Sequence, residues 1–133
     1  MGISDKNSLP VSICVASASP HEVTLVGDTI AERFIRQIPG LLVADRAYDS
    51  DPLDAALKQQ GIRLIAPHRG GRKKPKIQDG RELRRYLRRW KAERLFAWLQ
   101  NYRRVVTRYE YKPENFLAFT RLACMLLLLK HFW

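Results

Sequence analysis

Leu41-Leu42-Val43-Ala44-Asp45, then Asp51-Pro52-Leu53-Asp54, then Gly61-Ile62-Arg63-Leu64-Ile65-Ala66: these runs decide the fold class. The first and last are short apolar stretches bounded by turn formers, which is how a buried strand reads. Between them Asp51 as N-cap and Pro52 at the first helical position open a helix that runs to Gly61. With the elements on either side, the order strand, helix, strand, helix, strand, helix predicts an α/β layer. Upstream, Val11 to Ser17 alternates and is rich in β-branched residues, so it reads as a strand ending at Ser19-Pro20. Val23, Val26, Ile30, Phe34 and Ile38 have helical spacing, closed by Pro39-Gly40. Downstream, the pattern predicts a long helix from about Glu82 to Tyr102 and a closing helix from about Pro113 to His131. The fold class is α/β, with at least partly parallel strands and no internal repeat.

The chain has 133 residues, 46% of them hydrophobic, enough for one domain with a real core. Its net charge of +11 is unevenly spread. Residues 1–61 hold five Lys/Arg against eight Asp/Glu, whereas residues 62–133 hold nineteen against five. A polyanionic partner is therefore expected to meet the second half. The segment from His68 to Arg81 contains Arg69, Arg72, Lys73, Lys74 and Lys76 among glycines, an exposed loop suited to phosphates, and Arg85 and Arg88 extend the basic surface. Tyr86, Trp90 and Trp98 are expected to pack in the core. Cys14 and Cys124 lie in apolar runs and suggest neither a disulfide framework nor a zinc site. No secretory pattern opens the chain, which makes the cytoplasm the expected location. Arg121, Lys130 and His131 interrupt the apolar C-terminal run, so a buried closing helix is expected there and no membrane span.

Two acids stand out. Asp45 lies just past a strand, where an open α/β sheet presents its functional crevice. Glu93 lies within Tyr86-Leu87-Arg88-Arg89-Trp90-Lys91-Ala92-Glu93-Arg94 and shares a helical stripe with Leu83, Tyr86, Trp90 and Ala97. A carboxylate on an apolar stripe is costly unless an arginine or a metal ion compensates it. The residues alone leave both acids open. By itself Asp45 reads first as a strand-end turn former, and Glu93 equally as a partner of Arg89 or Arg94. Asp49, Asp51 and Asp54 read as turn and helix-start residues, and His21, His68 and His131 are assigned no chemistry.

These residues carry a resemblance to the catalytic domain of bacterial insertion-sequence transposases of the DDE type, which has a ribonuclease-H-like fold. It runs through Ala44-Asp45-Arg46-Ala47-Tyr48-Asp49-Ser50, Ile65-Ala66-Pro67-His68-Arg69, Arg89 to Leu99, Arg103 to Glu110, and Glu114-Asn115-Phe116. Tyr86, Arg89 and Glu93 match the signature Tyr-x-x-Arg-x-x-x-Glu; the family's Lys seven residues further on is here Gln100. The resemblance implies a mixed sheet flanked by helices and truncated at its N-terminal side. Residues 1–133 would form one partial catalytic domain, with a basic loop about 68–82 and a closing helix about 113–131.

By the same resemblance, Asp45 and Glu93 are the second and third acids of a triad that holds Mg2+ or Mn2+. Tyr86 and Arg89 stand beside them in the catalytic site, and Arg89 holds Glu93 or a phosphate. The implied partners are DNA, as transposon ends and target, and further copies of the chain or a full-length transposase. The implied setting is the bacterial cytoplasm, at the nucleoid. The family's first Asp belongs to an early strand ahead of the matched segment, and Asp5 sits in what reads as a turn between two strands. Strand cleavage is accordingly not expected of this chain alone. A non-catalytic basic DNA-binding remnant or regulator of transposition is the alternative, and a self-sufficient nuclease a third reading.

Overall fold

The computed structural model describes residues 1–72, 75 and 80–132. In chain order its elements are β1 (Gly2–Ser4), β2 (Pro10–Ile13), α1 (Val26–Ala31), β3 (Leu41–Val43), α2 (Asp51–Gln59), β4 (Arg63–Ile65), α3 (Gly80–Tyr86), α4 (Trp90–Leu99), α5 (Arg103–Val106) and α6 (Pro113–Phe132). Single 3-10 turns cover Glu22–Leu25 and Arg46–Tyr48. This is a mixed α/β chain, built as two units, Gln37–Trp90 and Met1–Arg36 with Lys91–Trp133.

In the Gln37–Trp90 unit β3 and β4 pair in parallel, with Leu41, Leu42 and Val43 opposite Arg63, Leu64 and Ile65. The crossover is α2, which begins one residue earlier than the cap pattern implies: Ser50 is the N-cap and Asp51 the first helical residue. Its C-terminus closes on Gly61, whose φ of +75° is open to a residue without Cβ. Ile62 N–H donates to Leu57 O at 2.9 Å and Gly61 N–H to Lys58 O at 3.0 Å, which satisfies two carbonyls of the last turn. Leu57 and Ile62, both 1% exposed, bury their side chains at that closure, and Ile65 and Ala66 complete the buried set. Each such aliphatic side chain contributes about 1.5–3 kcal/mol by leaving water. Lys73, Lys74 and Lys76 lie outside the described residues.

The other unit is organised on the β1–β2 hairpin, antiparallel with Gly2 opposite Ile13 and Ile3 opposite Ser12. Asp5 makes its turn: Oδ1 accepts from Asn7 N at 2.7 Å and from Leu9 N at 2.8 Å. Ile13 joins Leu95 and Leu99 of α4 and Ala123 and Cys124 of α6 in the core, with Tyr102, Val105, Leu117 and Leu127 packed around them. Helix α1 stops at Ala31, short of the expected Ile38. The following residues instead pair with β2, through a bridge from Ser12 to Arg33 and a bond from Phe34 N to Val11 O of 2.8 Å. Tertiary pairing there overrides a helical pattern.

Two further expectations are corrected. The single helix over 82–102 is interrupted at residues 87–89, where Arg88 N donates to Arg85 O and Arg89 N to Tyr86 O, both at 3.0 Å. These are tight i to i+3 bonds. An uninterrupted α-helix would stack Arg84 on Arg88 and Arg85 on Arg89, and like charges at that spacing repel. The closing helix does form, but only Thr120, Ala123 and Cys124 are buried on it. Leu122, Met125, Leu126, Leu129 and Phe132 are exposed. By length and composition α6 is long and apolar enough to cross a membrane, with 17% of its most apolar window buried, yet its small-residue face enters the core.

Candidate functional site

Asp45 lies two residues beyond β3, on the short connection to α2. Its backbone is extended, and its Oδ1 accepts from Ala47 N at 2.8 Å, so the carboxylate caps the 3-10 turn Arg46–Tyr48. The residue is exposed. Arg69 closes the other end of the turn: Nε donates to Arg46 O at 3.1 Å and Nη2 donates to Ala47 O. The backbone N–H of Arg69 donates to Asp49 Oδ2 at 2.8 Å. Asp49 Oδ1 is shared by His68 Nδ1 at 3.0 Å and Arg72 Nη1 at 2.7 Å, and Arg72 Nη2 reaches Asp51 Oδ1 at 2.7 Å.

This network is largely buried, with the side chains of Asp49, His68 and Arg72 exposed by 7%, 8% and 13%. Burial acts to raise the Asp49 pKa, but hydrogen bonds from the Arg69 backbone and the His68 ring, with the Arg72 charge, outweigh it and hold the carboxyl below its ordinary value. Asp54, beside the same recess, is shifted upward, first by burial and then by the charges of Asp51 and Asp49. The sequence reading assigned His68 and Asp49 no site role. The signal available was the repeated pairing of acids at 49 and 51 with cations at 69 and 72, which spacing alone does not reveal because the partners lie on separate strand ends.

Glu93 belongs to the other unit, on α4. It is exposed, and the buried positions of that helix are Leu95 and Leu99, so the apolar stripe through Leu83, Trp90 and Ala97 is not the packed face. Trp90 is 47% exposed. The cations flanking Glu93 turn to the β1–β2 turn, where Lys91 Nζ donates to Lys6 O and Arg94 Nε donates to Ser8 Oγ at 2.9 Å. Arg94 also lies 5.1 Å over the Trp98 ring. On the 37–90 side of the helix break, Arg89 lies 5.6 Å over the Tyr86 ring, and Arg85 and Arg88 are exposed.

Asp45 and Glu93 are hard oxygen donors of the type a divalent ion takes. Among the described residues no three His, Cys, Asp or Glu side chains gather into a group able to hold a metal. Each carboxylate is by itself of the donor type that fits such an ion, with water able to fill the remaining positions.

The family described as transposase DDE domain matches over residues 1–128. A protein named as a transposase for insertion sequence element IS402, from Burkholderia cepacia, is 31% identical over 133 residues, an alignment covering 94% of this chain and 59% of that protein. The chain thus spans about three-fifths of that relative's length. No solved structure gives a match. With nearly its whole length inside the family's span, and with Asp45 at a strand end and Glu93 on a helix within it, the chain belongs to the transposase DDE domain family.

Proposed function

We propose that this chain is the part of an insertion-sequence transposase that carries the second and third catalytic acids, Asp45 and Glu93, in a ribonuclease-H-like arrangement. The observation that supports it most is the capped Asp45 turn at the carboxyl end of a parallel strand pair, inside the region of the family match. The ion held would be Mg2+ or Mn2+, which when bound supplies charge stabilisation to the attacking and leaving oxygens of an in-line phosphoryl displacement. Asp45 offers its carboxylate from a turn whose ends are both tied, and Glu93 from a helix whose neighbouring cations are held by the hairpin. Tyr86 and Arg89, stacked together, are the proposed flanking pair of the site, with Arg89 toward Glu93 or a phosphate.

DNA is the proposed partner. Arg85 and Arg88, exposed on and just past α3, are the proposed phosphate contacts; Lys73, Lys74 and Lys76, singled out with them in the sequence, lie outside the described residues. Arg69 and Arg72, proposed from sequence as phosphate contacts too, have donors committed to the chain's own carbonyls and carboxylates.

The test is binding of a transposon-end duplex across a salt series. The double substitution Arg85→Ala with Arg88→Ala is expected to reduce the slope of log affinity against log salt by about two, one for each phosphate that is no longer neutralised. An unchanged slope removes this surface from the interface. With Mg2+ or Mn2+ added, the 133-residue chain is expected to give no strand cleavage, because two of the family's three acids do not hold a pair of ions in line with the attacking and leaving oxygens. Cleavage by this chain alone, lost in Glu93→Gln, would favour a self-sufficient nuclease. A non-catalytic DNA-binding regulator is the second reading, favoured by the absence of a three-acid group among the described residues. Binding of Mn2+ that disappears in Asp45→Asn decides against it.

A further inference from the structure

We propose that Arg69 is a positioning residue for Asp45, a guanidinium clamp on the turn that carries the acid, and that Asp49, His68 and Arg72 together form the mount of the clamp. The proposal rests on Asp45 being a metal ligand for its functional meaning, but the clamp itself is a statement about the turn.

A single 3-10 turn of three residues has almost no stability of its own, since it fixes several dihedrals for one or two hydrogen bonds. The turn Arg46–Tyr48 has Tyr48 N bonded to Asp45 O at 3.1 Å and Asp49 N to Arg46 O at 3.3 Å, and the second of these is long. What distinguishes it is that both ends are tied from outside its own backbone. At the front, the Asp45 carboxylate takes Ala47 N–H. At the back, one guanidinium gathers the carbonyls of Arg46 and Ala47. An arginine can do this and a lysine cannot, because the planar fork presents several donors at fixed separation.

The clamp has a fixed origin. Arg69 follows β4, separated from Asp45 in sequence by α2 and β4 but brought to its turn by the parallel pairing of β3 with β4. Its backbone N–H is held by Asp49 Oδ2, and Asp49 is held by His68 and by Arg72, which also grips Asp51 at the start of α2. Arg72 N donates to Arg69 O at 3.3 Å, closing the loop on itself. Thus the connection after β4 and the connection after β3 are one hydrogen-bonded body, and the Asp45 carboxylate is presented from it. Because a displacement of about 1 Å at a catalytic group is enough to cost a large factor in rate, a turn tied at both ends has a purpose that a solvated loop lacks.

The experiment uses the full 133-residue chain, labelled with 15N, with Arg69→Ala, Arg69→Lys and Asp45→Asn. Amide hydrogen exchange without metal is read at Ala47 and, as the reference for the sheet, at Ala44 and Arg63, whose N–H groups bond Ile65 O and Gly40 O. In Arg69→Ala, exchange at Ala47 is expected to accelerate about tenfold, the loss of a charge-assisted hydrogen bond, with Ala44 and Arg63 unchanged. Arg69→Lys is expected to recover only part of the protection. Unchanged exchange at Ala47, equal acceleration at all three amides, or full recovery by lysine would each overturn the clamp, the second by reducing it to a stability effect and the third by assigning it to charge alone.

Mn2+ is then added and the broadening of the Ala47 signal followed. The expected result is broadening in the parent chain, abolished in Asp45→Asn and needing about tenfold more Mn2+ in Arg69→Ala. Absence of broadening in the parent overturns the metal reading of Asp45 and leaves the clamp decided by exchange, so the two failures are told apart.

Discussion

Asp49 bonds three partners, the Arg69 N–H, the His68 ring and the Arg72 guanidinium, and its charge is the part of that network that pH can remove. Its folded pKa is depressed, so the stability it contributes is present above its unfolded value of about 3.9 and is lost as pH falls through the folded one. Asp49→Asn is expected to cost about 1–3 kcal/mol at pH 7, as a charge-assisted network loses its centre, and the difference from the parent should shrink as the solution is acidified below about pH 4. Urea midpoints between pH 7 and pH 2.5 measure both. Asp54 has the opposite sign. Its folded pKa is raised, so its contribution is favourable at low pH and is lost as pH rises through the folded value, and Asp54→Asn should stabilise the unit at neutral pH. A parallel pH dependence for the two variants would contradict the network.

Among elements, α2 shows how much of this fold was legible in the sequence. Pro52 near the first helical position, Asp51 and Asp54 in the first turn, and Gly61 just past the end mark its limits to within a residue, because caps and left-handed closures are local requirements that a residue type meets by itself. Gly61→Ala, which forces a Cβ onto a φ of +75°, is expected to destabilise the chain by about 1–2 kcal/mol in a urea titration, with Gly61→Asn less harmful. The strand ends at Asp45 and Pro67 were legible for the same local reason. The ends of α1 and the break between α3 and α4 were not, since the first is set by pairing with β2 and the second by repulsion within a run of arginines that also reads as a good helix former. Helix α6 was legible in length but not in burial: an all-round apolar pattern does not say which face packs. Cys124 tests the answer, because burial pushes its thiol up to about 11. At pH 8 only about one thiol in a thousand is then ionised, so alkylation by iodoacetamide should be slow until denaturant is added. Rapid labelling of the native chain would mean that the Ala123–Cys124 face is not docked.

At the scale of the whole molecule, the sequence singles out candidate acids and carries no geometry for them. Asp45 and Glu93 could be picked out from a strand-end acid and a signature around Tyr86 and Arg89, but the clamp of Arg69 on the Asp45 turn joins strand ends that only the parallel pairing brings together. The arrangement of the two units along the chain has its own result. Residues 37–90 form a unit whose strand, crossover helix and strand are neighbours in sequence, whereas the other unit is assembled from 1–36 and 91–133. Ile13 waits for Leu95, Ala123 and Cys124 before its side chain has a core to enter. Closing loops of that length costs entropy that local pairings do not. On the ribosome, where synthesis runs from the N-terminal side, the β1–β2 hairpin therefore leaves the exit tunnel before residues 91–133 and stays unfinished while the inserted strand–helix–strand unit folds behind it. The β1–β2 hairpin is thus made ahead of its partners and secured only after them, and the apolar face of Ile13 is the surface that a nascent-chain chaperone would meet in the interval.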